Sequence, residues 1–176
     1  MPTQGRNEYQ VRGPSGLELN RQIGWAMQQS LWSAANPAFL AYGLTCLVLS
    51  LNLLLLWVSS GAIRARGGVA INPEDGDRYS APVSELDPPA VARILRAHRN
   101  AEATIYPFLL LGLVYVLTGG GAMIAIPIFT IFAVARIAHS IVYLKALQPW
   151  RTIAFAASLL AIFALMAAVL HVLLTS

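Results

Sequence analysis

Three long apolar runs constrain this chain more than any other feature: Pro37 to Val58, Ala122 to Ile141 and Ile153 to Leu174. Each matches the roughly 20 residues that a helix needs to cross the hydrocarbon core of a bilayer. In lipid a backbone must satisfy its own hydrogen bonds, so each run is predicted as a spanning helix. A fourth run, Ala103 to Leu117, is too short alone. It reaches spanning length only if the charged stretch before it, LRAHRN at Leu95 to Asn100, is part of the same helix, and no Gly, Pro or Ser separates the two. Hydrophobic residues make up 57% of the chain and charged residues 11%, which excludes an ordinary soluble domain.

The fold expected is all-α and integral to a membrane, a four-transmembrane-helix bundle over residues 37–176 with helices at about 37–66, 88–117, 122–147 and 150–174. Residues 1–36 form a more polar extension, which puts the first apolar run too deep for a cleaved signal peptide. Within the extension Leu19, Ile23, Met27 and Leu31 recur at helical spacing, beside Trp25 and Trp32. Two readings stay open there: an interfacial helix or a plain extension. Asn52 is the one strongly polar side chain within the first span and is expected to hydrogen-bond to another helix. GG, NPEDGD and DPP make 67–89 a long loop with Asp87 as N-cap of the second span, and TGGGA at 118–122 makes a tight turn. Cys46, the sole cysteine, falls inside the first span, which leaves no disulfide and no thiolate metal site.

Arg64, Arg66, Arg78, Arg93, Arg96, Arg99, Lys145 and Arg151 all fall at the end shared by the first and third loops, while the 118–122 turn has no charge. Basic residues mark the cytoplasmic side. Arg96, Arg99, Asn100 and Ala103 share one helical face, as do Arg136, His139 and Tyr143. Ionisable faces on two separate spans are costly unless they look into a protein interior or a polar cavity. With Arg64 and Arg151 they form a ring of cations drawn from all four helices. Such a ring suits an anion with more than one carboxylate or phosphate, because the planar guanidinium recognises both bidentately.

RAHRN followed by TIYPF, ARIAHSIVYL, NPED and PWRT resemble the MAPEG superfamily of membrane glutathione enzymes, over about residues 37–175. The resemblance implies a homotrimer with a glutathione site between neighbouring subunits, opening to the cytoplasm. It carries Arg64, Arg96, Arg99, Asn100, His139, Tyr143 and Arg151 to glutathione contacts and Asp75, Arg151 and Thr152 to catalysis. In that role Arg151 is the cation and Thr152 the hydroxyl donor for a glutathione thiolate, aided by backbone N–H groups at the start of the fourth span. Asp75 is either a proton carrier or a turn-forming residue of NPEDGD. The reaction implied is isomerisation of a prostaglandin endoperoxide, or glutathione transfer and peroxide reduction, on a lipophilic substrate from the bilayer. The membrane is the endoplasmic reticulum of a eukaryote or the inner membrane of a bacterium. A non-enzymatic lipid-binding scaffold of the same superfamily is the alternative.

The chain departs from the pattern at three positions. The family glutamate that holds the glutathione amino group stands three residues after the Asn, where this chain has Ala103; its glutamate is one earlier, at Glu102. That shift turns the carboxylate about 100° from the arginine face. Glu102 either pairs along the helix with Arg99 or His98, or returns to the ligand through a local bulge. Thr152 replaces a serine and keeps a hydroxyl, and Phe155 replaces a tyrosine.

Overall fold

In the computed structural model the described residues are 15–31 and 33–175, so Arg6, Arg12 and Trp32 lie outside them, as do the side chains of residues 26–31. The helices are α1 (Gly16–Leu31), α2 (Pro37–Gly67), α3 (Pro73–Tyr79), α4 (Pro89–Leu117), α5 (Ala122–Leu144) and α6 (Trp150–Thr175). Among them α2, α4, α5 and α6 are long and apolar enough to cross a membrane. LRAHRN does continue into TIYPF without a break, in α4.

Local chemistry sets the ends of these helices. Asn36 caps α2 by accepting hydrogen bonds from the Ala38 and Phe39 amides at 3.0 and 3.4 Å, with Pro37 in the first turn. Gly68, at φ 61°, closes the other end in the left-handed conformation. Arg64 and Arg66 stand in the last turn, where the helix dipole favours cations. The α4–α5 turn is held by Gly120, whose N–H reaches the Tyr115 carbonyl at 2.9 Å. A β-carbon at Gly120 would collide with the Tyr115 ring, so the turn needs glycine there.

Four expectations are corrected. Helix α4 begins at Pro89 with no side-chain cap, because Asp87 turns instead to Arg64 and takes a charge-assisted bond. Helix α5 stops at Leu144 and not at 147. Ala146 adopts φ 57°, and the Leu147 amide closes back on the Val142 carbonyl at 3.0 Å, a Schellman-type ending. The 67–89 loop is more ordered than its turn signals suggest. It holds α3, and Ala70 bridges to Val83 through bonds with Pro82 O (3.0 Å) and Ser84 N (2.8 Å). Finally, the interhelical bond expected of Asn52 is not seen among the described residues, where its buried Nδ2 has no partner.

Helix α5 packs on α6, and α2 packs on both α4 and α5. Phe108 of α4 stacks on Phe132 of α5 at 3.6 Å between centroids and meets Phe129 edge-on at 5.8 Å. Gly112 lets α4 approach this cluster, since a β-carbon there would lie 3.2 Å from the Tyr42 ring and 3.3 Å from Phe129. Outside the core, Leu47, Leu54, Met123, Leu160 and Leu174 are exposed, as expected of surfaces that face lipid or other apolar chains.

Candidate functional site

The polar groups gather where α2 and α5 end and α4 and α6 begin. Their deepest member is Arg136 of α5, whose side chain has no exposed surface. Its Nη2 donates to Asn100 Oδ1 of α4 at 3.0 Å, while Nε and Nη1 have no partner. One turn on, His139 is 2% exposed and its Nδ1 is likewise unpartnered. The His139 ring lies 5.6 Å from Tyr143 and 6.0 Å from Phe155 of α6. Arg151 of α6 sits over the Tyr143 face at 5.0 Å, within cation–π range. Asn100, Arg136, His139, Tyr143 and Arg151 therefore form one linked group across α4, α5 and α6.

Thr152 is exposed beside them, at the start of α6. The turn before α6 contributes Gln148, a residue the sequence motifs missed because it stands just ahead of PWRT. With its amide oxygen toward Arg151, Gln148 accepts from Nη2 at 2.6 Å and Nε at 3.2 Å, and its amide nitrogen donates to Thr152 Oγ1 at 3.2 Å. The expected backbone donors of α6 are not free. The amides of Arg151, Thr152 and Ile153 bond to the carbonyls of Leu147 and Pro149 at 3.0–3.2 Å. Anion stabilisation at this end thus falls to side chains and the helix dipole.

A second group forms at the end of α2. Arg64 donates from Nε (3.1 Å) and Nη2 (2.7 Å) to a single oxygen of Asp87. Asp75, in the first turn of α3, accepts from Asn72 Nδ2 at 3.1 Å. Arg64, Asp75 and Tyr79 line a cavity of about 450 Å³ under the loop. Among the described residues no hydrogen bond or ion pair joins Asp75 to Arg151 or Thr152. Arg96 and Arg99 are exposed on the outer face of α4.

Glu102 takes the helical alternative, since α4 is regular through this stretch and has no bulge. Its carboxylate lies 3.4 Å from His98 Nδ1 and accepts from the Tyr106 hydroxyl at 3.0 Å, with no pairing to Arg99. The three line a shallow recess with Trp57. Along the bundle, an apolar groove of about 480 Å³ runs between α5 and α6 from Thr130 past Val142 to Trp150 and Ile153; Arg151 and Thr152, between those two in sequence, do not line it.

The MAPEG family profile matches residues 42–171. The chain belongs to the MAPEG family. It is 38% identical to the prostaglandin E synthase of Homo sapiens over 122 residues, 69% of this chain and 80% of that protein. It is also 38% identical to prostaglandin E synthase of Bos taurus over 144 residues, covering 81% and 84%. Microsomal glutathione S-transferase 1 of Sus scrofa is 34% identical over 125 residues, covering 68% and 81%. The matched region of this MAPEG chain takes in all four spanning helices except the first turns of α2 and the last residues of α6.

Proposed function

We propose that this chain is a glutathione-dependent membrane enzyme acting on lipophilic electrophiles, either a prostaglandin E synthase-like isomerase or a glutathione transferase/peroxidase. The observation that carries the reading is the closeness of two features in the first turn of α6. Arg151 and Thr152 offer a cation and a hydroxyl, and the apolar α5–α6 groove ends at the same turn. The relatives named for prostaglandin E synthesis and for glutathione transfer support the same chemistry.

Glutathione would supply a thiol, with two carboxylates and an amino group as handles. The residues present suit it. Arg136 Nε and Nη1 and His139 Nδ1 are buried polar nitrogens without partners, and Asn100 and Tyr143 stand beside them. Arg64, Arg96 and Arg99 add cations at the mouth, while Glu102 is engaged with His98 and Tyr106 and is turned away from the amino group. Lowering a thiol from about 8.5 by about two units requires about 2.7 kcal/mol of thiolate stabilisation. In this reading Arg151 and the Thr152 hydroxyl provide it. Asp75 carries the proton released or returned at the reacting atom. A lipophilic substrate would reach the thiolate along the α5–α6 groove.

A homotrimer with the site between neighbours would bring Asp75 and the exposed Arg96 and Arg99 of one copy to the α6 turn of another. That no bond joins Asp75 to Arg151 or Thr152 among the described residues is in keeping with that assembly. The basic end faces the cytoplasm by the positive-inside rule, in the endoplasmic reticulum of a eukaryote or the inner membrane of a bacterium.

The test is glutathione binding in detergent, followed by ultraviolet absorbance of the thiolate, for the parent protein and Arg151→Ala. The parent should bind and ionise glutathione and the variant should bind without ionising it. No binding by the parent would remove the enzyme reading and leave a lipid-binding scaffold. Turnover of a chlorinated aromatic against a lipid endoperoxide then separates transferase from isomerase.

A further inference from the structure

The α5–α6 turn sets one amide against both groups assigned above to the thiolate. An amide can be placed either way round, and here the chemistry decides. Its NH2 end against the Arg151 guanidinium would set donor on donor, so the oxygen faces Arg151, accepting at 2.6 and 3.2 Å. The nitrogen end then donates to Thr152 Oγ1 at 3.2 Å.

Each end has a consequence. Arg151 is held between the Gln148 oxygen and the Tyr143 face, 5.0 Å away, and loses rotamer freedom before any ligand arrives. Thr152 uses its oxygen as an acceptor toward Gln148, which leaves its single O–H proton available for an anion. With the amide reversed, that proton would go to the Gln148 oxygen.

We propose that Gln148 is a positioning residue, holding Arg151 in place and directing the Thr152 hydroxyl proton toward the glutathione thiolate. This rests on the glutathione reading above. Gln148 touches neither thiol nor substrate and acts through its two neighbours. It also accounts for a hydroxyl at 152: that group must accept one hydrogen bond while donating another, which a hydroxyl can do and an ammonium or amide nitrogen cannot.

The experiment uses the full-length protein in detergent with reduced glutathione as the probe, comparing parent, Gln148→Ala and Gln148→Glu. Bound-thiolate absorbance is followed against pH, and affinity is measured below the titration, where the thiol form binds. In Gln148→Ala the titration should move up by about 0.5–1 pH unit, the worth of one hydrogen bond, with thiol-form affinity unchanged. Gln148→Glu should move it further, because a carboxylate neutralises Arg151 and captures the Thr152 proton. A residue that merely braces the turn gives the opposite order: Glu still accepts from Arg151 and would titrate like the parent, which overturns the proposal. Unmoved titration in both variants overturns it too. Since Glu nearly matches Gln in shape, a folding defect in the Ala variant leaves the Glu comparison decisive. If the parent itself forms no thiolate, the glutathione reading fails and this proposal with it; a parent thiolate with unmoved variants rejects Gln148 alone.

Discussion

Arg136 Nη2 donates to Asn100 Oδ1 at 3.0 Å, tying α5 to α4 where the Arg136 side chain has no exposed surface. A charged group at such depth is costly unless its donors are engaged. Here Asn100 engages one nitrogen, and in return its own oxygen is fixed. The amide nitrogen of Asn100 is thereby aimed by a residue that stands behind it, so Arg136 acts on the candidate ligand site from the rear.

Removing the acceptor should therefore be worse than removing the pair. Asn100→Ala leaves a buried guanidinium with no partner and is expected to destabilise the protein by about 1.5–3 kcal/mol, the worth of a hydrogen bond to a charged group. Adding Arg136→Met should recover part of that loss, because an apolar chain of similar length carries no charge to bury. Thermal unfolding in detergent across the double-mutant cycle reads the coupling. Additive losses would mean that the two side chains do not depend on one another.

The Arg64–Asp87 pair is a different case. Its side chains are 33% and 23% exposed, and both nitrogens converge on one oxygen. Solvent screens such a pair, so Asp87→Asn is expected to cost only about 0.5–1 kcal/mol, and less in concentrated salt. Melting temperature against salt checks this. A large, salt-independent loss would show that Asp87 holds the loop by something other than charge.

Glu102 offers a test of register. Its carboxylate is engaged with His98 and Tyr106 at a half-exposed site. Glu102→Ala alone should leave glutathione affinity within about twofold, since partly exposed pairs contribute little. Moving the carboxylate with Glu102→Ala, Ala103→Glu places it on the Arg96 and Arg99 face. Affinity should then rise by about tenfold, the effect of one charge-assisted bond. Calorimetry decides, and weaker binding by the double variant would mean that Glu102 already reaches the ligand.

The spanning helices were legible because a bilayer demands long apolar runs, and LRAHRN was assigned to α4 because no breaker separates it from TIYPF. The pairing of Arg136 with Asn100 was half visible: helical spacing put each on a face, but not that the faces meet. Asp87 was misread because an N-cap is a local signal, whereas its real partner, Arg64, is 23 positions away. Gln148 escaped for the same kind of reason. Nothing in QPW distinguishes a turn residue from one whose two amide ends are both used. Nor does a string reveal that the first amides of α6 are occupied by the preceding turn.

Helix α1 lies wholly outside the family match, and we propose the interfacial reading for it. Ser15 caps α1: its Oγ accepts from the Glu18 amide at 3.3 Å and donates to the Glu18 carboxylate at 3.4 Å, so the helix has its own start signal. Leu19 and Ile23 lie one turn apart and both are exposed. Residues 32–36 bridge α1 to α2 and can span at most roughly 20 Å. On that proposal the tether would hold α1 near the membrane face opposite the arginine ring. Glu18 and Arg21 offset one another, so attraction should come from apolar burial and be insensitive to salt. The check uses full-length protein in phosphatidylcholine nanodiscs, with a fluorophore on Ile23→Cys or Gln22→Cys in a Cys46→Ser background. Nitroxide-labelled lipid should quench position 23 several-fold more than position 22, and iodide the reverse. Equal access of iodide to both would show α1 standing in water, and shielding of position 23 from both quenchers would show that protein covers it; either result would sink the interfacial reading.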